Sequence, residues 1–258
     1  MKLEAYFEQL GLRRGDVVLM HSSFKSLGPV EGGIKTLIDA MMNVLTEEGT
    51  LLVPTLSYAY VTEDNPVFDV RRTRSNVGAV TNYVWQLPEA HRSLSPTHSV
   101  AGIGKYAREI TEGQLADDTP VGANSPFRRL PQYGGKILFL GCSPHHNTSM
   151  HGVEELVRPE YLFRPQKYPF TVVDQQGCAH DILCCRHNFH RPDRDYAQRY
   201  ARVIDWLGED EKSHGKVAEA DCWLLDAKAV WREGERALRE NPLCLVDVVM
   251  KDAAAKQA

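Results

Sequence analysis

Apolar residues come in short blocks whose spacing changes along the chain. Leu3 to Leu10 fits a short helix that Gly11 stops. Asp16-Val17-Val18-Leu19-Met20 is a continuous apolar run and predicts a buried strand, with His21-Ser22-Ser23 as the polar loop leaving it. From Ile34 to Leu45 the apolar positions Leu37, Ile38, Met41, Met42 and Leu45 recur at helical spacing. Gly49 ends that helix and Thr50 to Pro54 forms the next strand. Strand, loop, helix and strand predict a βαβ unit with parallel pairing.

A polar loop with interspersed tyrosines runs from Thr55 to Arg74. Val77 to Trp85 reads as a helix, Leu94 to Ile103 holds a short strand, and Lys105 to Thr111 starts another helix. Gly135 to Gly141 is the clearest strand, apolar and bounded by glycines. A helix from Thr148 to Val157 follows. Phe170 to Val173 and Ala179 to Cys185 predict a hairpin turned by Asp174 to Gly177. Asp195 to Leu207 reads as a helix on the spacing of Tyr196, Tyr200, Val203, Ile204 and Leu207. Lys216 to Leu225 holds a strand and its approach, and Asp226 to Glu240 is a helix that Pro242 ends. Residues 251–258 are expected to fray.

Composition adds limits. The chain has 258 residues, 43% hydrophobic and 25% charged, which excludes disorder as the main state. No apolar run reaches the ~18 residues of a membrane span. The formal charge is −4 and no long basic stripe occurs, so neither nucleic acid nor membrane is expected as a partner. Met1 to Ala5 lacks the apolar core of a signal peptide, and the six cysteines are scattered. Both features lead to the expectation of reduced thiols in a cytoplasmic protein.

Three stretches carry candidate chemistry. The first is His21 to Gly28, followed by Gly32-Gly33 and a helix. Unpaired N–H groups at a helix start attract anions, and glycines permit close approach. The bland alternative is a serine-rich turn.

The second stretch runs from Gly141 to Glu155, at the end of the clearest strand, where open α/β sheets bind ligands. Thr148, His151 and Glu154 are spaced three apart and share one helical face. A histidine with a carboxylate partner is an oriented general base, and a neighbouring hydroxyl can face an oxyanion. An N-capped helix with a packed histidine is the plain alternative.

Together these blocks resemble the aminoglycoside 3-N-acetyltransferase (antibiotic N-acetyltransferase) family. The resemblance rests on His21 through Gly33, Glu48 to Thr55, Phe68-Asp69, Thr73 through Gly78, Arg92 through Gly104, Ser125-Pro126 and Leu138 through Glu155. It covers about residues 5 to 160 well. It implies an α/β fold with a mixed central sheet flanked by helices, in a single domain over 1–258 with a more variable acceptor side at 160–215. It also implies transfer of acetyl from acetyl-CoA to an amine of an amino sugar, aminoglycoside or other small hydroxylated amine.

Site roles follow from the same resemblance. His151 is implied as the catalytic histidine, with Thr148 and Glu154 beside it. His21, Ser22, Ser23, Ser26, Leu27, Gly28, Gly32 and Gly33 are implied on the CoA side, together with Thr73, Val77 and Gly78. Glu63, Asp64, His98, His187 and His190 are the expected acceptor-side residues. Direct transfer needs no metal, and none is expected. The chain departs from the family at Ser95-Pro96, where many relatives carry His-Pro, and in a shortened acidic loop after Thr55. Monomer and homodimer both remain open.

The third stretch holds Cys178, His180, Cys184, Cys185, His187 and His190. Zinc must be weighed there, but the spacing is not that of paired Cys-x-x-Cys ligands. A metal-dependent hydrolase using His145, His146, His151 and this cluster is therefore the alternative enzyme. A non-catalytic CoA-binding protein is the third possibility. The segment Arg186 to Arg191 is otherwise expected as an acceptor-side wall.

Overall fold

The computed structural model describes residues 2–251 of the chain; the end that is expected to fray lies, from residue 252, outside the described residues. Helix α1 (Leu3–Leu10) closes on Gly11, whose φ of 112° takes the left-handed turn. Strand β1 (Val17–Ser22), helix α2 (Gly33–Leu45) and strand β2 (Thr50–Pro54) form the expected βαβ unit, with Leu19 beside Leu52 in a parallel pair. β1 runs on through His21 and Ser22, which the sequence pattern assigns to the following loop. His21 stays in the ladder because it pairs with Phe139 on the neighbouring strand.

The chain then forms β3 (Val67–Asp69), α3 (Ala79–Val84), β4 (His91–Arg92), β5 (Val100–Gly104), α4 (Ala107–Thr111) and the single turn α5 (Pro126–Arg129). Strand β6 (Lys136–Leu140) leads into α6 (Ser149–Val157). The remainder comprises β7 (Tyr168–Val173), β8 (Ala179–Cys184), β9 (Arg194–Gln198), β10 (Lys212–Val217), β11 (Ala220–Asp226), α7 (Ala227–Glu240) and β12 (Val246–Met250).

The architecture is the expected mixed α/β sheet. Seven strands lie in the order β10-β11-β6-β1-β2-β5-β4. The central trio β6-β1-β2 is parallel, and antiparallel strands extend it on both sides. Each central strand is buried on both faces, so its period-two alternation is hidden in a continuous apolar run. On one face Val18, Met20, Leu51, Leu138 and Leu140 pack with Leu37 and Met41 of α2. On the other, Val17, Leu19, Leu52, Ile137 and Phe139 pack with Met150 and Val153 of α6 and Val230 of α7.

Helices α6 and α7 approach closely because residue 152 is glycine. A Cβ there would stand 2.5 Å from the Trp231 ring and 2.7 Å from Val121. At the start of α7, Asp226 accepts the Ala229 N–H at 2.7 Å, which caps the helix where the sequence begins it.

Two expectations are corrected. Asp195 to Leu207 is not one α-helix. Its first part is β9, paired antiparallel with β12, and Tyr200–Trp206 is a 3-10 turn. Tyr196 stacks on Tyr161 with ring centroids 5.1 Å apart, and tertiary pairing overrides the helical spacing. Tyr200 and Val203 share the three-residue period of the 3-10 turn, which imitates an α-helical face over so short a run. Lys216 to Leu225 belongs to a full hairpin, turning at Ala218 with φ 53°, and is not one strand with an approach. Among the described residues, no helix is long and apolar enough to cross a membrane.

Candidate active site

The parallel strands β1 and β6 end side by side. Ser22 pairs with Leu140, and the Ser23 N–H donates to the Leu140 carbonyl at 2.8 Å. Above these carboxyl ends opens a cleft of about 750 Å³. The end of β1 supplies His21 and Ser22 to its lining and the next residue, Ser23, joins them, while chain leaving β6 supplies Cys142, Asn147, Thr148 and His151. This is where a parallel sheet places a ligand.

His151 lies on the first turn of α6. Its Nδ1 is 3.2 Å from Glu154 Oε2 and 3.0 Å from the Tyr200 hydroxyl. Glu154 is fully buried. The Tyr200 hydroxyl donates to Glu154 Oε2 at 2.8 Å, and the Tyr161 hydroxyl donates to Oε1, also at 2.8 Å. A buried carboxylate needs such donors. The arrangement places the imidazole proton on Nδ1 and leaves Nε2 free of these bonds to act as a base. Thr148 precedes α6 without capping it through its side chain, and it lines the cleft.

Two more histidines meet His151. Its ring centroid lies 5.6 Å from that of His98 and 4.5 Å from that of His187. The His98 Nδ1 is 2.8 Å from Thr97 Oγ1, and the His98 N–H donates to Ser95 Oγ at 3.2 Å. The serine at the departure from the family pattern thus helps hold the turn that carries His98. His187 Nε2 is 2.9 Å from Glu155 Oε1, which also accepts the Val121 N–H. Burial holds both His98 and His187 well below the usual histidine range, with neighbouring histidines adding to the effect. Burial likewise pushes the Glu155 carboxyl up to about 7.

The CoA-side expectations divide. His21, Ser22, Ser23 and Val77 line the cleft. The His21 ring stacks on Phe139 at 5.1 Å, and burial pushes its pKa down to about 3. Its Nε2 and the Ser22 Oγ are buried and have no hydrogen-bond partner among the described residues. Ser26 is turned to Ser23 and to the Gly141 carbonyl. The Leu27 side chain is in the core, and Gly28 sits beneath the Glu219 carboxylate. Gly32 and Gly33 begin α2 with φ of 77° and 68°, and the Cβ position of Gly33 is open. Thr73 Oγ1 accepts the Asp69 N–H, while Gly78 precedes α3; neither lines the cleft.

On the acceptor side, His98, His187 and His190 line the cleft. Glu63 and Asp64 do not. Glu63 is instead paired with Arg164 at 2.6 Å and lies 3.9 Å from Arg186. The cysteine–histidine cluster weighed for zinc is not assembled. His180 bonds Asp174, His190 bonds Asp195, Cys178 is exposed and Cys184 is buried. Sequence pattern does not pick out Tyr161, Tyr200 or Glu155 as site residues. Tyr200 reads there as part of an apolar helix face, and nothing local links Tyr161 to Glu154 or Glu155 to His187.

The model of the family described as aminoglycoside 3-N-acetyltransferase matches residues 19–239. An aminoglycoside N(3)-acetyltransferase III of Pseudomonas aeruginosa is 28% identical over 244 residues, covering 88% of each chain. One from Salmonella sp is 32% identical over 260 residues, covering 91% of this chain and 89% of the relative. Among solved structures, a histidine-to-alanine variant of aminoglycoside acetyltransferase AAC(3)-IVa in complex with a gentamicin superposes with a TM-score of 0.78. It is 27% identical, and the match covers 94% of this chain and 89% of that one.

Proposed function

The chain belongs to the aminoglycoside 3-N-acetyltransferase family, and on that premise we propose that it transfers acetyl from acetyl-CoA directly to an amine, with His151 as general base. The observation that carries this reading is the His151–Glu154–Tyr200 arrangement at the joint end of β1 and β6. Acetyl-CoA supplies the activated thioester. The unpartnered His21 Nε2 and Ser22 Oγ fit a ligand with amide and carbonyl groups, such as the pantetheine arm. The open start of α2 suits an anionic group.

An alkyl amine is mostly protonated at neutral pH, and only its neutral form attacks. Nε2 of His151 takes the proton as nitrogen bonds to the carbonyl carbon; the C–S bond then breaks and the imidazolium returns that proton to the departing sulfur, so that CoA leaves as the thiol. Glu154 stabilises the resulting imidazolium, and Thr148 is positioned to face the oxyanion. A covalent cysteine route is disfavoured. Cys142 lines the cleft, but burial pushes its thiol up to about 12, so little thiolate exists at neutral pH. The compartment that suits these free thiols is the cytoplasm.

Glu154→Gln tests the orienting role. Three donors converge on this carboxylate, and an amide accepts at only one of its two terminal atoms. We expect kcat to fall while KM for acetyl-CoA holds. The loss should be smaller than the ~10²–10⁴-fold typical of a general base. Steady-state kinetics with unchanged kcat would remove Glu154 from the mechanism.

The acceptor reading goes further than the family. The cleft lining includes Arg164, Arg186, His145, His146 and His190 and, among the described residues, no aspartate or glutamate. Glu63, the expected acid, is already neutralised by arginine. Bringing a polycation against like charge is costly. We expect kcat/KM for a small amino sugar such as glucosamine to exceed that for gentamicin. A thiol-release assay decides, and a clear preference for gentamicin reverses this reading.

A further inference from the structure

We propose that His98, His151 and His187 form a binding site for a divalent transition metal of the Zn²⁺ class, and that its occupation shuts off acetyl transfer by taking the lone pair of His151. One ligand atom from each of the three lies within 4.8 Å of the others. Among the described residues this is the group of histidines, cysteines and acids close enough to hold an ion. Sequence spacing cannot show it, because the three residues come from three distant segments. It shares only His151 and His187 with the sets considered for a hydrolase.

The surroundings of each ring match what a metal-binding imidazole needs. Such a ligand engages its other nitrogen with an oxygen, which fixes ring orientation and tautomer. His98 engages Nδ1 with Thr97 Oγ1. His151 engages Nδ1 with Glu154 and Tyr200. His187 engages Nε2 with Glu155. The nitrogens left over are Nε2 of His98, Nε2 of His151 and Nδ1 of His187. The last is buried without a hydrogen-bond partner among the described residues, on a side chain only 7% exposed. A buried unpaired nitrogen is costly, and a cation would satisfy it.

The donor set also selects the class of ion. Three neutral imidazoles suit Zn²⁺, Co²⁺, Ni²⁺ or Cu²⁺ and do not suit Mg²⁺ or Ca²⁺, which take oxygen ligands. Zn–N bonds of ~2.0–2.1 Å in a tetrahedron set the nitrogens roughly 3.4 Å apart, so the rings must draw inward slightly. Cleft solvent supplies the fourth ligand. Glu154 and Glu155 stand behind two of the rings and counter the dication's charge, against the opposing charges of Arg164 and Arg186 in the cleft lining.

Only the inhibitory consequence rests on His151 being the base; binding does not. Binding is therefore measured by itself. The full-length protein, freed of metal with a chelator, is titrated with ZnCl₂ by calorimetry and with CoCl₂ by visible absorption. We expect one equivalent of Zn²⁺ and the intense d–d bands of four-coordinate Co²⁺. His98→Gln and His187→Gln should each weaken Zn²⁺ binding roughly tenfold or more. His214→Ala, on an exposed histidine of β10, should leave it unchanged. Thermal unfolding checks that the variants are folded. Calorimetry on a double His98→Gln/His187→Gln variant serves if a single change leaves partial binding. In the acetyl-transfer assay, Zn²⁺ should abolish turnover, chelator should restore it, and rising amine concentration should relieve it. Zn²⁺ binding that is unaffected by either glutamine variant overturns the site. If binding stands and depends on these residues while His151→Ala keeps its turnover, the site is upheld and only the choice of base has failed.

Discussion

His151→Ala should lower kcat by ~10²–10⁴-fold, equivalent to ~3–5 kcal/mol of barrier, while leaving acetyl-CoA affinity nearly unchanged. The split follows from where the contacts lie. The proton-taking nitrogen belongs to a side chain of α6, oriented by fully buried Glu154 and by Tyr200. The groups assigned to the co-substrate belong to the end of β1, where His21 is pinned against Phe139 and Ser22 continues the ladder with Leu140. Truncating His151 touches neither of these. The loss should thus appear in kcat more than in the acetyl-CoA Kd. Steady-state kinetics on a confirmed amine and calorimetry with acetyl-CoA measure the two halves. Retention of more than about a tenth of the wild-type kcat, well short of the loss of a base, would place the proton acceptor elsewhere. His187, backed by Glu155, and His98 would be the groups to test next, since both rings meet His151.

The parts of the site that are legible in sequence are those fixed by local pattern. Strands β1 and β6 read as strands because both faces are buried, and the polar residues after them read as a site because strand ends bind ligands. Thr148, His151 and Glu154 can be grouped because helical spacing alone places them on one face. Tyr161, Tyr200 and the Glu155–His187 pair cannot. Tyr161 and Tyr200 meet Glu154, and His187 meets Glu155, only through long-range packing. The Cys178 to His190 stretch illustrates the opposite error. Closeness in sequence suggests a cluster, but β8 alternates its side chains and the chain beyond it diverges, so His180 and His187 take different carboxylates, Asp174 and Glu155. Strand β12 is not legible either. Its Val248 and Val249 are exposed, and only its pairing with β9 identifies it.

The largest expected loss of stability lies at Arg92, on the short strand β4 at the sheet edge. It is 6% exposed and has no carboxylate partner among its bonds. Its guanidinium donates to the Thr73 carbonyl at 2.6 Å, the Thr55 carbonyl at 3.1 Å and the Val70 carbonyl at 3.3 Å. Nε meets the hydroxyls of Thr55 and Ser99. Its Cζ lies over the rings of Phe68 and of Trp85, 4.9 Å from each centroid. Burial draws its pKa down to about 9, so it remains charged at neutral pH. One planar fork therefore ties the end of β2 to the loop carrying Thr73, and those segments lead to Leu56, Tyr58 and Val77 in the cleft lining. Arg92→Met fills part of the volume but takes the donor from the Thr73 and Val70 carbonyls, each a cost of ~1–3 kcal/mol, while the Thr55 carbonyl keeps the Ser99 hydroxyl at 2.8 Å. We expect a net loss of about 3–5 kcal/mol, which for a chain of this size lowers Tm by roughly 6–20 °C. Arg92→Lys keeps the charge but has no fork to span Thr55 and Thr73, so it should recover only a minor part of the loss. Arg72→Met, at a side chain 83% exposed, is the control and should change stability by no more than ~0.5 kcal/mol. Calorimetric unfolding of the three variants provides the comparison. If Arg92→Lys matches the wild type, charge alone holds these loops; if Arg92→Met matches it, the fork is not what positions this wall of the cleft.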